Sequence, residues 1–300
     1  MPEGYTYKKL QDEIEQLKII YPFIEVGNIG YSVMGKSIPY IRIGIGKKEI
    51  FYNASFHANE WITTQVLMKF LKEYALQYLI NGKLNEFNAR ELYNLVSLYI
   101  VPMVNPDGVD LVTGGLQPVD NQYKNAEKIA KDFPSIPFPS GWKANIEGID
   151  LNLQFPAGWE QAKEIKYKQG FDKRAPRDFV GEAPLLAPES LAVYNFTLQH
   201  KFRLVIAYHT QGKEIYWTFQ NYNPPMAEYI GKKFSEVSGY TLAKVPYNSS
   251  FAGYKDWFIQ EYNRSGYTIE AGIGENPLPI KQFDEIYADN FGILALGIAL

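Results

Sequence analysis

A chain of 300 residues with 46% hydrophobic content is long enough to bury a large core, as one big α/β domain or two small ones. Its net charge of −3, with Lys and Arg scattered along the sequence, carries no polyanion signal, so no nucleic acid partner is expected. The absence of cysteine excludes disulfide scaffolds, thiolate zinc sites and cysteine nucleophiles, and no apolar run reaches the roughly 18 residues that a membrane span needs.

The first residues, "MPEGYTYKKLQDEIEQLKII", are charged and amphipathic and lack the apolar core of a signal peptide. Helical periodicity over 6–20 puts Leu10, Ile14 and Leu17 on one face. "FIEVGNIGYSV" and "SIPYIRIGIG" alternate like paired strands around the turn "MGK". A central strand is predicted over 49–56, a helix over 61–80, and a buried strand over 94–104 closed by the turn "NPDG". Residues 112–185, rich in Gly, Pro and polar side chains, read as one long functional loop. Regular structure resumes with a helix near 187–200, the strand "FRLVIAYH" over 202–209 and the strand "EIYWTF". A helix over 224–238, the helix "AGYKDWFIQEYN", a short strand over 266–271 and a closing helix over 281–298 complete the pattern. The 23 tyrosines are mostly core, with a groove for an extended polar substrate as the other use of such a surplus.

Strands alternating with helices point to an α/β fold with a mixed or largely parallel sheet. Ligands collect at the carboxyl ends of the strands in such sheets. Three such ends carry ionisable residues: His57, His209 and Glu270. Each belongs to an apolar run, where an unpartnered polar group costs on the order of 2–7 kcal/mol. A shared partner accounts for all three. Taken alone, His57-x-x-Glu60 is a common pattern, and a hydrogen-bonded core histidine explains His57 as well. Together, His57, Glu60 and His209 form the two-histidine, one-carboxylate set of a catalytic zinc with one position open. Glu270 would then be free to take the proton of an attacking water. His200, in "LQHKF", reads as a solvated histidine at a helix end.

The set "HANEW", "VNPDG", "GIDLN", "AYHTQG" and "TIEAG" resembles the zinc carboxypeptidase family, the funnelins. The motifs run from about residue 50 to 275 in the family's order. The resemblance implies one zinc peptidase catalytic domain over 1–300, with a mixed sheet of about eight strands flanked by helices. It implies one Zn2+ held by His57, Glu60 and His209, with Glu270 as general base. Lys143, in Trp142-Lys143, stands where the family has a Trp-Arg pair whose cation polarises the scissile carbonyl; lysine brings charge without the planar fork. Asp150 resembles the carboxylate that orients a zinc histidine. Tyr247 resembles the mobile tyrosine that closes on substrate.

The departures narrow the substrate. Where carboxypeptidases carry Asn-Arg to grip a free C-terminal carboxylate, this chain has Asn152-Leu153, and a contact of that kind contributes roughly 1.5–3 kcal/mol. "DLNLQFPAGW" with "YHTQGKEIYW" resembles the γ-D-glutamyl-L-diamino acid endopeptidases, which cut peptidoglycan stem peptides between γ-D-Glu and meso-diaminopimelate. A peptidoglycan stem peptide or muropeptide is therefore the expected substrate, and the bacterial cytoplasm or cell wall the expected location. Lys255, before the Asp-Trp pair of "YKDW", takes the place of the family's pocket-floor residue. It is either a solvated helix lysine or the partner of a carboxylate on diaminopimelate. The rivals are a zinc carboxypeptidase releasing C-terminal amino acids, with Arg174 or Arg177 replacing the missing cation, a zinc amidohydrolase of N-acyl amino acids, and an inactive binding module.

Overall fold

The computed structural model describes residues 4–300. Helix α1 (Tyr7–Ile20) starts at Thr6, whose hydroxyl accepts the Lys9 N–H, and it buries Leu10, Ile14 and Leu17 as its periodicity requires. Strands β1 (Glu25–Tyr31) and β2 (Ser37–Ile43) form the expected hairpin and are followed by β3 (Lys48–Ala54) and helix α2 (Ile62–Ile80). A small ribbon, β4 (Lys83–Leu84) with β5 (Phe87–Asn88), and helix α3 (Ala89–Leu95) lead into β6 (Val96–Val101).

The NPDG segment is not a closing turn. It starts helix α4 (Pro106–Thr113), with Asn105 capping the Gly108 N–H and Pro106 in the first turn, where a missing N–H removes no intrahelical bond. Nor is 112–185 one loop: it contains α5 (Asn121–Ala130) and α6 (Trp159–Lys168). Helix α5 buries only Ala126 and Ala130, and α6 buries Trp159, Ala162 and Lys166, so neither shows a stripe of large aliphatics in the sequence. Helix α7 (Pro188–Leu198), β7 (Leu204–His209), a β8 (Glu214–Tyr216) shorter than "EIYWTF", and α8 (Ala227–Ser238) come next. The short β9 (Thr241–Ala243), α9 (Tyr254–Tyr262), β10 (Ser265–Glu270) and α10 (Phe283–Ala299) finish the chain.

Eight strands make one mixed sheet in the order β1-β2-β6-β3-β7-β10-β8-β9, the expected α/β architecture. Strands β6, β3, β7 and β10 run parallel, while β2 joins β6 and β8 joins β10 antiparallel. Alternation along each strand divides the side chains between two cores. Ile50, Tyr52, Ile206 and Tyr208 face one side, and Phe51, Val205 and Ala207 the other. Residues of α2 and α10 fill the first core, and residues of α7 and α9 the second. Full burial of one such side chain is worth about 1.5–3 kcal/mol, and burial on both faces is why these strands read as continuous apolar runs.

Strand β3 has β6 on one flank and β7 on the other, so the chain changes direction across the sheet at this point. That arrangement opens a crevice at the carboxyl ends of β3, β7 and β10. At the opposite ends of the strands, a cavity of about 640 Å3 gathers Lys47, Lys48, Lys201, Arg203 and Arg264, so cations scattered in sequence are clustered in space. His200 is not solvated: its Nδ1 lies 3.0 Å from Glu49 and its ring stacks on Phe202. Among the described residues, no helix is long and apolar enough to cross a membrane.

Candidate active site

Beyond β3 the chain turns at Ser55, a buried residue held at a left-handed φ of 51°. Its hydroxyl lies 2.8 Å from that of Thr64, which locks the turn onto the start of α2. Such conformations are uncommon outside glycine and collect at functional sites. This turn aims His57, and after it Glu60 on a short 3-10 segment (Ala58–Glu60), toward one point. Asn105 braces it from below, its Nδ2 donating to the Phe56 carbonyl at 3.1 Å and the Ala144 carbonyl at 3.0 Å. The Ala58 N–H donates to the Lys143 carbonyl at 2.9 Å. The two turns that carry His57 and Lys143 are thus one unit. Gly108 completes the brace, since a Cβ there would stand 2.7 Å from both the Ala144 carbonyl and the Asn105 side chain.

The Nδ1 atoms of His57 and His209 each lie 2.9 Å from a Glu60 carboxylate oxygen and 3.1 Å from each other. On its far side, His57 Nε2 lies 3.1 Å from Asp150 Oδ1. An acceptor there fixes the proton on Nε2 and leaves the Nδ1 lone pair turned inward. His57, Glu60 and His209 are buried, and their ligand atoms all lie within 4.8 Å of one another. Two imidazole lone pairs and a carboxylate at that spacing fit a single zinc ion. The charges agree. Burial opposes an imidazolium at His57, but Glu60, and after it Asp150, carry its pKa up to about 9, while burial keeps His209 low. Glu60 stays well below the usual carboxylate range because His57, Lys143 and His209 outweigh its burial. The buried Glu60 carboxylate thus makes the trio favourable to positive charge, and a metal cation suits it.

Glu270 ends β10 in register with His209 on the parallel β7, so the two side chains leave the sheet on the same face. Burial, and then the Glu60 charge, push its pKa up to about 8 against Lys143 and His57. Lys143 Nζ sits 3.4 Å from Glu60 Oε1. His57, Lys143, Asp150 and Glu270 line one open cleft of about 620 Å3, together with Asn152, Leu153 and Lys255. Asn152 Oδ1 accepts the Tyr254 N–H at 3.0 Å. Lys255 is 4% exposed, which rules out a solvated helix lysine. Its ammonium donates to the Thr218 carbonyl at 2.7 Å and to Asp256 at 2.5 Å, so the floor carries an ion pair rather than a bare cation.

Tyr247 is not brought into the cleft. It is 68% exposed, with its ring edge-on to Phe251. Tyr216 is the one tyrosine among the described cleft-lining residues, so a tyrosine-lined groove is not what the surplus of tyrosine builds. Arg174 lies at the surface with Glu147 and Glu182, whereas Arg177 lines the cleft. Asn276, which sequence reasoning passed over, also lines it. Asn276 Nδ2 donates to the Thr210 carbonyl at 2.9 Å and its Oδ1 accepts the Thr210 hydroxyl at 2.7 Å, holding the segment that follows His209. Only the Asn-Pro of "GENP" marked that position as a turn.

Residues 10–292 match the family model described as zinc carboxypeptidase. The chain belongs to the zinc carboxypeptidase family. Zinc is therefore the metal of this enzyme, and His57, Glu60 and His209 are the one described group placed to hold it. The chain is 46% identical over 298 residues to γ-D-glutamyl-L-diamino acid endopeptidase 1 of Lysinibacillus sphaericus, covering 99% of this chain and 73% of the relative. It is 41% identical over 294 residues to the uncharacterized protein YqgT of Bacillus subtilis (strain 168), covering 97% and 76% of the two. Bovine thrombin-activatable fibrinolysis inhibitor, solved with a tick carboxypeptidase inhibitor, shares the fold. Its TM-score is 0.73 at 17% identity, over 99% of this chain and 97% of that one.

Proposed function

We propose that this metallopeptidase hydrolyses the amide bond between γ-D-glutamate and meso-diaminopimelate in bacterial peptidoglycan stem peptides. The observation that carries this reading is Leu153, which lines the cleft where chain-end-specific members of the family have arginine. An apolar side chain cannot donate to a C-terminal carboxylate. The relative named as a γ-D-glutamyl-L-diamino acid endopeptidase supports the same choice. So does the floor: the distal centre of meso-diaminopimelate bears both an ammonium and a carboxylate, and Asp256 and Lys255 offer the two complementary charges.

His57, Glu60 and His209 hold the ion, and Asp150 keeps the His57 ring turned toward it. Zinc, when bound, supplies Lewis acidity toward a water and the scissile carbonyl. Glu270 takes the proton of the attacking water and returns it to the leaving amine. Lys143 places a cation beside the carbonyl oxygen as negative charge develops there. Asn152, held by the Tyr254 N–H, offers its amide to the substrate.

Amidating the C-terminus of L-Ala-γ-D-Glu-meso-diaminopimelate tests the chain-end question. The expected change in kcat/KM is less than about threefold. A loss of about 10-fold or more, as a removed charge-assisted contact produces, would restore the exopeptidase reading.

A further inference from the structure

Arg177 is a cleft residue that the chemistry above does not use. It is held in place from both sides. The preceding carbonyl, of Pro176, accepts the Lys143 N–H at 2.8 Å and the Ala144 N–H at 2.9 Å. The following N–H, of Asp178, donates to Asp150 Oδ2 at 3.1 Å, with Asp178 at a left-handed φ of 64°. The backbone of Arg177 is thus bolted to the Lys143 turn and to the carboxylate that orients His57. A position anchored on both sides, next to a residue of left-handed φ, is not that of an ordinary surface arginine.

Its side chain has donors to spare. Nε donates to Asp178 Oδ2 at 2.6 Å, whereas Nη1 and Nη2 have no hydrogen-bond partner among the described residues. Asp178 is shared, because its other oxygen already accepts Lys166 at 2.6 Å. The other cations of this wall are committed. Lys166 is taken by Asp178, and Lys143, 3.4 Å from Glu60, serves the scissile carbonyl oxygen in the mechanism above. The Arg177 side chain remains 43% exposed, toward a cleft it lines. Two parallel N–H groups on a fixed guanidinium match a carboxylate, and arginine serves that geometry better than lysine.

A γ-linked glutamate carries one carboxylate that an ordinary peptide lacks at this place. Its α-carboxylate is free and is joined to the reacting carbonyl by a short aliphatic spacer. We propose that Arg177 is the specificity-determining residue that binds this free α-carboxylate of the γ-glutamyl residue on the acyl side of the scissile bond. The inference rests on the γ-glutamyl reading of the substrate. It adds the means by which γ-linked substrates are told from α-linked ones.

The test uses the zinc-loaded full chain and two tripeptides, L-Ala-γ-D-Glu-meso-diaminopimelate and its counterpart with D-isoglutamine, in which that α-carboxylate is an amide. Wild type is expected to lose about 10- to 100-fold in kcat/KM on the amide, mainly through KM, as for a lost charge-assisted bidentate contact. Arg177→Gln should lose a similar factor on the carboxylate substrate and become indifferent to amidation. Arg177→Lys should recover part of the preference. Zinc content and Tm of both variants should stay at wild-type values, which separates recognition from damage to the site. Wild type cleaving both tripeptides equally, or Arg177→Gln keeping the full preference, would overturn the role of Arg177 alone. Failure of wild type to cut the γ-glutamyl bond in either peptide would overturn the substrate reading, and the inference with it.

Discussion

Replacing His209 by alanine is expected to remove zinc and activity together. His209 supplies one of three donors that converge within 4.8 Å, and it is 1% exposed at the end of β7. Losing an outer partner of a ligand costs about 10–100-fold in metal affinity, and a direct donor contributes more. The variant should still fold, because the change lies at the end of the strand. Glu60 Oε2 loses its His209 partner, but His57 and Lys143 remain beside Oε1. Metal analysis of the dialysed variant should show far less than one zinc per chain, with no measurable turnover. One zinc per chain in a variant that still turns over would contradict the ligand set.

Glu270→Gln is expected to retain zinc and lose about two to four orders of magnitude in kcat, the usual worth of a general base. The side chain keeps its shape and its place beside His209, but an amide cannot accept the proton. Glu270 is not in the convergent trio, so metal content should match wild type. Burial and the Glu60 charge hold its pKa up to about 8. That position fits a group that accepts and returns a proton near neutrality better than an unshifted carboxylate would. Near-normal turnover in Glu270→Gln, with zinc in place, would show that another group activates the water.

The two predictions draw on the part of the site that is most legible in the sequence. His57, His209 and Glu270 close apolar strand runs, and burial of the sheet on both faces makes those runs continuous and so visible. Asn105 is different. Asn-Pro-Asp-Gly reads equally as a turn or as a capped helix start, and its bonds to Phe56 and Ala144 exist only once the fold has formed. Helices α5 and α6 were hidden because small or polar residues, among them Ala126, Ala130 and Lys166, form much of their buried faces. Arg177 had no local signal beyond its charge, because Lys143 and Asp150 fix its place from more than two dozen residues away in sequence. The pairing of Lys255 with Asp256 was equally hidden, since adjacent helix residues do not ordinarily face each other. The motif position of Tyr247 was readable, yet its exposed ring stands on Phe251 outside the cleft lining.

The most direct test is the mass of the products formed from the tetrapeptide L-Ala-γ-D-Glu-meso-diaminopimelyl-D-Ala by the zinc-loaded protein. With Leu153 rather than a cation at the chain-end position, cleavage should fall inside the peptide. The expected products are L-Ala-D-Glu and diaminopimelyl-D-Ala, with no free D-alanine. Release of D-alanine with the tripeptide left intact would contradict the proposed activity and identify a carboxypeptidase.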